Sequence, residues 1–121
     1  MRVRCFGLSE NRWDLTAIDA SMPTGNSIVW FDTGKSLCET IAEDGRPTVV
    51  ILHKGSGYDI YQLCQELTSS YSYVSVILVV PSQQLELKRA MRMGAADTLS
   101  SPFSRDEIKQ ALQVADQRLS L

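Results

Sequence analysis

The chain has 121 residues and a net charge of −2, with 44% hydrophobic and 21% charged residues. This length suits one domain with one substantial core, so we expect a single domain over residues 1–121. The hydrophobic content excludes a disordered chain, and the slightly acidic balance argues against direct nucleic-acid binding, which usually needs a surplus of lysine and arginine on one face.

The first third of the chain alternates short apolar runs with helical patterns. Val3–Leu8 predicts a strand, and Trp13–Ala20 predicts a helix because its apolar residues recur at intervals of three and four. Ile28–Phe31 then predicts a second strand. Lys35–Glu43 predicts a short second helix, which Gly45 ends.

The centre of the predicted sheet is the run Thr48–Leu52, in which five consecutive aliphatic or β-branched residues leave no polar face. Both sides of such a strand must be covered, as in a parallel sheet that lies between helices. In these sheets the ligand or active site lies beyond the carboxyl ends of the strands. The chemistry is therefore expected near His53, Lys54 and Gly55.

The second half of the chain repeats the alternation. Asp59–Thr68 predicts an amphipathic helix and Val74–Val80 a second fully apolar strand. Gln83–Met93 predicts a helix that Gly94 ends, and Ala95–Ser100 predicts a short fifth strand.

The last predicted helix has the clearest start. Ser104 and Glu107 form a capping box, and Ile108 begins an apolar face that continues toward Leu119. Five strand–helix units in succession predict an α/β domain with a parallel sheet and helices on both faces, which the right-handed crossover rule narrows to a doubly wound domain.

Cysteine usage and hydropathy bear on the location of the chain. Cys5, Cys38 and Cys64 form no CxxC pair and lie in apolar or helical surroundings, so we expect reduced thiols in a cytoplasmic protein. No apolar run approaches the roughly 20 residues of a membrane span, and the N-terminus lacks a signal-peptide pattern. We expect no membrane partner.

Two segments resemble a known family. Ala90–Phe103 (AMRMGAADTLSSPF) resembles the end of the receiver domain of two-component response regulators, typically A-x-x-x-G-A-x-D-Y-L-x-K-P-F. Arg46–His53 (RPTVVILH) is similar to the third strand of that family, typically P-D-L-V-L-L-D. The resemblance covers essentially the whole chain. It implies a flavodoxin-like (βα)5 fold with a doubly wound, five-stranded parallel sheet and a cis bond between Ser101 and Pro102.

Receiver domains transfer a phosphoryl group to an Asp at the end of the third strand. A Mg²⁺ ion, held by that Asp and by two acidic residues after the first strand, neutralises the charge. The resemblance assigns the acceptor position to His53, which has no carboxylate. The acidic pair falls within residues 7–10, where Glu10 is the one carboxylate.

The remaining family positions also depart from the pattern. The hydroxyl after the fourth strand falls on Val79 or Val80, with Ser82 just beyond, and the lysine before the last proline falls on Ser101. The aromatic residue of the fifth strand falls on Thr98. We therefore expect a pseudo-receiver with no catalytic residue, metal or cofactor, whose degenerate pocket contains His53, Ser101, Glu10 and Ser82.

Two other classes of function stay open. The domain could bind a small ligand, or be modified at His53, Ser82 or Ser101, in that pocket, with His53 as a phosphohistidine or a pH-sensitive group. It could also be a small flavodoxin-like enzyme or cofactor binder, although the run of residues 54–57 (KGSG) lacks the phosphate-loop pattern.

The leading hypothesis is a non-catalytic domain that acts through protein contacts. Receiver domains commonly dimerise or contact their effector through the fourth helix, fifth strand and fifth helix. We expect a homodimer or a protein partner, which includes a covalently linked effector domain such as a transcription regulator or a pilus-assembly ATPase. The corresponding surface is expected to include the following residues or their exposed neighbours: Leu87, Met91, Arg92, Leu99, Phe103 and Ile108.

Overall fold

The computed structural model describes residues 4–8, 16, 18–20, 28–31, 33–53, 59–100 and 103–119. Within them, the strands are Arg4–Leu8 (β1), Ile28–Phe31 (β2), Thr48–His53 (β3), Val74–Val79 (β4) and Asp97–Leu99 (β5). Residues 16 and 18–20 are helical and are called α1. The later helices are Gly34–Asp44 (α2), Ile60–Ser70 (α3), Gln84–Arg92 (α4) and Arg105–Leu119 (α5).

All strand pairs are parallel, and the order across the sheet is β2-β1-β3-β4-β5. The chain moves outward from β1 to β2 and then returns to place β3 on the other side of β1. This is the order of the flavodoxin-like doubly wound sheet, so the predicted α/β fold class is confirmed.

The central strands are buried on both faces. Residues of β3 alternate between two cores because successive side chains of a strand point to opposite sides of the sheet. Val50 and Leu52 pack with α2, α3 and α4, whereas Val49 and Ile51 pack with α1 and α5. The apolar run of β3 therefore has the double cover that its sequence predicts.

Predicted capping residues set several helix ends. Gly45 follows α2 with a φ of 64°, and its N–H donates to the Ile41 carbonyl at 3.2 Å. At the start of α5, the Ser104 N–H donates to Glu107 Oε1 and the Glu107 N–H donates to Ser104 Oγ, both at 3.1 Å. The predicted capping box is confirmed.

The turn between α4 and β5 makes the fifth strand shorter than predicted. Gly94 has a φ of 96°, and the Ala95 N–H donates to the Ala90 carbonyl at 3.2 Å. Ala95 thus lies in the turn that bonds back to α4, and the strand begins only at Asp97. Within the described ranges, no helix is long and apolar enough to cross a membrane.

Candidate functional site

Strands β3, β4 and β5 end side by side at the carboxyl edge of the sheet. His53 lies opposite Val79, and Val79 lies opposite Leu99. The chain continues from Val79 to Val80, whose N–H donates to the Leu99 carbonyl at 2.8 Å. The structure therefore brings the predicted acceptor position and the predicted hydroxyl position together at one edge.

The side chains at this edge have little polar chemistry. His53 is half-buried, and Val79 and Val80 are both 3% exposed. Mg²⁺ prefers oxygen ligands, whereas His53 offers an imidazole nitrogen. In the part of the chain that the structure describes, no group of three His, Cys, Asp or Glu residues could hold a metal ion. At the acceptor position, the described edge thus offers an imidazole nitrogen in place of a carboxylate oxygen.

The other predicted pocket residues are placed differently. Ser82 is exposed and lies beyond the end of β4. Glu10 and Ser101 lie outside the described residues, as does the predicted cis bond before Pro102. Their part in a pocket stays a prediction from the sequence.

The predicted interaction face is wrong at two positions. Leu99 is 3% exposed and Ile108 is 1% exposed, and both pack in the core between the sheet and α5. The apolar stripe of α5 must face the sheet, so neither side chain is available to a partner. Phe103 and Leu87 are half-buried against the cores, whereas Arg92 is exposed.

One side of α4 exposes apolar and cationic residues together. Leu85 is 81% exposed and Met91 is 49% exposed, and Lys88 and Arg92 are also exposed. With a rotation of about 100° per residue, Leu85, Lys88 and Arg92 share one face, and Met91 lies beside them. We call these four residues the α4 face. Sequence reasoning missed Leu85, although its position opposite the buried Ala90 was a usable signal.

The other side of α4 contacts α3 through four side chains, Asp59, Tyr61, Glu86 and Arg89, which we call the α3–α4 cluster. The Tyr61 hydroxyl donates to the Glu86 carboxylate. The Arg89 guanidinium carbon lies 4.2 Å from the centre of the Tyr61 ring, and Arg89 Nη2 lies 3.9 Å from Asp59 Oδ2. Asp59 also caps α3 by accepting from the Tyr61 N–H at 2.9 Å.

The energetic contributions within the α3–α4 cluster are unequal. Arg89 and Asp59 are about half exposed (51% and 50%), so solvent screens their ion pair and it adds little stability. Tyr61 is 9% exposed, and burial, followed by the hydrogen bond to Glu86, raises its pKa to about 12. The protonated phenol therefore persists as a donor at neutral pH. The hydrogen bond and the cation–π contact are the parts of the cluster that fix α4 against α3.

An open groove of about 240 Å³ lies between the N-terminal ends of α2 and α3. Its lining consists of Gly34 at the start of α2, Asp59 at the cap of α3, and Gln62, Leu63 and Glu66 of α3. The carboxylates make this groove acidic, in contrast to the cationic α4 face.

The cysteines whose side chains are described, Cys38 and Cys64, are free thiols. Burial raises the pKa of Cys64 to about 12, and burial together with Glu66 raises the pKa of Cys38. Both stay protonated at neutral pH, so neither is an activated nucleophile. Their chemistry is that of small core residues.

Solved structures with the same fold are response-regulator receiver domains. A receiver domain protein from Clostridium thermocellum matches with a TM-score of 0.82 at 18% identity, over 98% of this chain and 97% of that chain. The CheY-like protein TadZ from Pseudomonas aeruginosa PAO1 matches with a TM-score of 0.74 at 17% identity, over 95% and 94% of the two chains.

A longer protein shares the fold over part of its length. It is described as a two-component response regulator with a GGDEF domain, and it matches with a TM-score of 0.84 at 17% identity over 98% of this chain. The present chain spans 51% of that protein. No protein-family model and no curated protein sequence matches the chain. The structural likeness shows the receiver-domain fold that the sequence resemblance predicts.

Proposed function

We propose that this chain, which has the fold of response-regulator receiver domains, is a signalling domain that does not perform aspartyl phosphorylation and acts through protein contacts. The observation that carries the proposal is His53 at the end of β3, opposite Val79. The proposal treats residues 1–121 as one cytoplasmic domain that needs no metal or cofactor.

Charge stabilisation decides whether the described edge can support phosphoryl transfer. Phosphoryl transfer to a carboxylate needs the nucleophile itself and cations or hydrogen-bond donors that stabilise the charge on the phosphoryl oxygens. At the position of the nucleophile this chain has an imidazole, and at the hydroxyl position it has the aliphatic side chains of Val79 and Val80. The sequence further supplies Ser101 where the family has a lysine. These substitutions together support loss of the reaction.

The proposal is tested by incubating the protein with Mg²⁺ and acetyl phosphate and measuring its intact mass at neutral pH. We expect no stoichiometric phosphoprotein. The matched control is His53→Ala, treated identically. A phosphoprotein that forms in both the wild type and His53→Ala contradicts the proposal. A phosphoprotein that His53→Ala abolishes would favour a phosphohistidine at the half-buried His53 instead.

The contacts are proposed to use the α4 face, with Arg92 at its centre. The exposed Leu85 and Met91 support this, because apolar side chains on a charged helix face gain by burial against a partner. The protein with a GGDEF domain, in which this fold occupies about half of the chain, supports a covalently linked effector as one partner. A homodimer is the other.

Light scattering over a range of protein concentrations separates the two kinds of partner. A homodimer through the α4 face predicts a molar mass that rises with concentration and a different rise in Arg92→Glu, because the variant changes the charge within the contact. Lys35→Glu, which reverses an exposed charge on α2, is the control. A strict monomer at high concentration, unchanged in Arg92→Glu, argues against self-association and leaves a linked or separate effector.

A further inference from the structure

We infer that the α4 face binds an acidic amphipathic segment of another protein or of a linked domain, in which carboxylates flank an apolar side chain. This inference rests on the proposed function, because it names the chemistry of the partner that the docking surface takes.

The charged residues of α4 differ in whether they are paired. Glu86 and Arg89 are engaged in the α3–α4 cluster, where they contact Tyr61. Lys88 and Arg92 lie on the exposed side, and neither has an ion pair with any residue that the structure describes. The α4 face therefore carries two unpaired positive charges and no carboxylate.

The apolar residues of the α4 face restrict the kind of anion that fits. Leu85 is 81% exposed and Met91 is 49% exposed, and they lie on either side of the two cations. A phosphate backbone would match Lys88 and Arg92 but would leave Leu85 in water. A peptide segment with Glu or Asp beside a leucine-type side chain matches both features, and the flexible Met91 side chain can adapt to its shape.

Charge also argues against a symmetric contact between two copies. In a two-fold interface centred on the α4 face, Lys88 and Arg92 of one copy would face the same cations of the other. Such like-charge contacts disfavour the pairing. An asymmetric contact, with the α4 face of one copy against the acidic groove that includes Asp59 and Glu66, is the self-association that charge permits, and the test must distinguish it.

The experiment is an NMR titration of the ¹⁵N-labelled chain with two synthetic helical peptides. In the first, leucines at i and i+4 are flanked by glutamates, and in the second each glutamate is replaced by lysine. We expect saturable shifts of the α4 backbone amides with the acidic peptide and none with the basic one. Lys88→Glu/Arg92→Glu should weaken binding by about tenfold, because two attractions become repulsions. The control Lys109→Glu reverses an exposed charge on α5 and should change binding by less than about twofold.

Leu85→Ala tests the apolar half of the inference. This variant should lower the affinity for the acidic peptide about threefold or more, because it removes an apolar side chain that becomes buried in the complex. The dispersion of the NMR spectrum of the variant shows whether the fold is kept. Equal binding of both peptides, or shifts that avoid α4, overturn the inference.

Two further outcomes identify other occupants of the α4 face. If the acidic peptide does not bind and the chain self-associates in a way that Lys88→Glu abolishes, the α4 face binds a second copy. If the peptide does not bind and the chain binds phosphatidylserine vesicles in a way that Lys88→Glu abolishes, the α4 face binds a membrane. Either result overturns the acidic-segment inference, whereas only the acetyl phosphate result decides whether the domain lacks the phosphorylation reaction.

Discussion

Replacement of Gly94 by alanine should destabilise the domain more than the same change at Gly45. Both glycines have a positive φ, 96° and 64°, which costs a residue with a Cβ about 1–2 kcal/mol. The surroundings differ. Among the described residues, no atom lies within 4 Å of a Cβ at Gly45, whereas a Cβ at Gly94 lies 2.7 Å from Thr68 Oγ1 and 3.2 Å from Thr68 Cβ.

Thr68 cannot move away from Gly94 without losing hydrogen bonds. Its hydroxyl donates to the Cys64 carbonyl at 2.9 Å and lies 3.4 Å from the Met93 carbonyl oxygen. Relief of the contact at Gly94 thus requires the end of α4 to shift or this hydroxyl to turn, at the roughly 1–3 kcal/mol typical of overpacking. Together with backbone strain, Gly94→Ala should cost about 2–5 kcal/mol, and Gly45→Ala about 1–2 kcal/mol.

Equilibrium urea unfolding, followed by circular dichroism, measures both losses as changes in the free energy of unfolding. The double variant Thr68→Ala/Gly94→Ala removes the closest contact, so a double-mutant cycle should give a favourable coupling of about 1 kcal/mol or more. Equal losses for Gly94→Ala and Gly45→Ala, with no coupling to Thr68, would refute the steric reasoning.

Three further variants test the packing around the sheet. Ser75→Ala should leave the free energy of unfolding unchanged or raise it by up to about 1 kcal/mol, because the buried Ser75 Oγ has no hydrogen-bond partner among the residues that the structure describes. A clear loss of stability in urea unfolding would contradict this. Tyr73→Phe should lower the free energy of unfolding by about 1 kcal/mol in the same assay, because the Tyr73 hydroxyl donates to the Ile41 carbonyl at 3.0 Å. The control Tyr71→Phe should lower it by less. Equal losses of stability in the two variants would count against a contribution from that hydrogen bond. Burial raises the pKa of Cys64 from 9.0 to about 12, so its contribution to stability is complete below pH 9 and is lost as pH rises toward 12. Cys64→Ala should flatten the fall in stability over that range, and an unchanged pH profile would show that the thiol is not responsible.

Sequence patterns predict those elements whose determinants are local. The burial of β3 follows from five consecutive apolar or β-branched residues, and the start of α5 follows from the Ser104–Glu107 pair. Both depend on residues within one strand or one helical turn. The same holds for the end of α2, where Gly45 supplies the left-handed conformation that closes the helix.

Long-range contacts explain where the sequence reasoning failed. Leu99 and Ile108 were placed on an interaction face by resemblance, yet the packing of α5 on the sheet buries both. The hydrogen bond between Tyr61 and Glu86 joins residues 25 positions apart, and no local pattern predicts it. Sequence patterns likewise do not distinguish Arg89, which contacts the Tyr61 ring, from Lys88, which has no ion pair with any residue that the structure describes.

The division of α4 into a side that contacts α3 and a side that faces solvent has an evolutionary consequence. Tyr61, Glu86 and Ala90 hold the helix in place, whereas the side chains of Leu85 and Arg92 are exposed to solvent. Substitutions at the exposed positions can therefore accumulate at a stability cost that is usually within about 0.5 kcal/mol. A duplicated copy of this domain could acquire a new partner by changing a few residues of one helix while its scaffold stays intact.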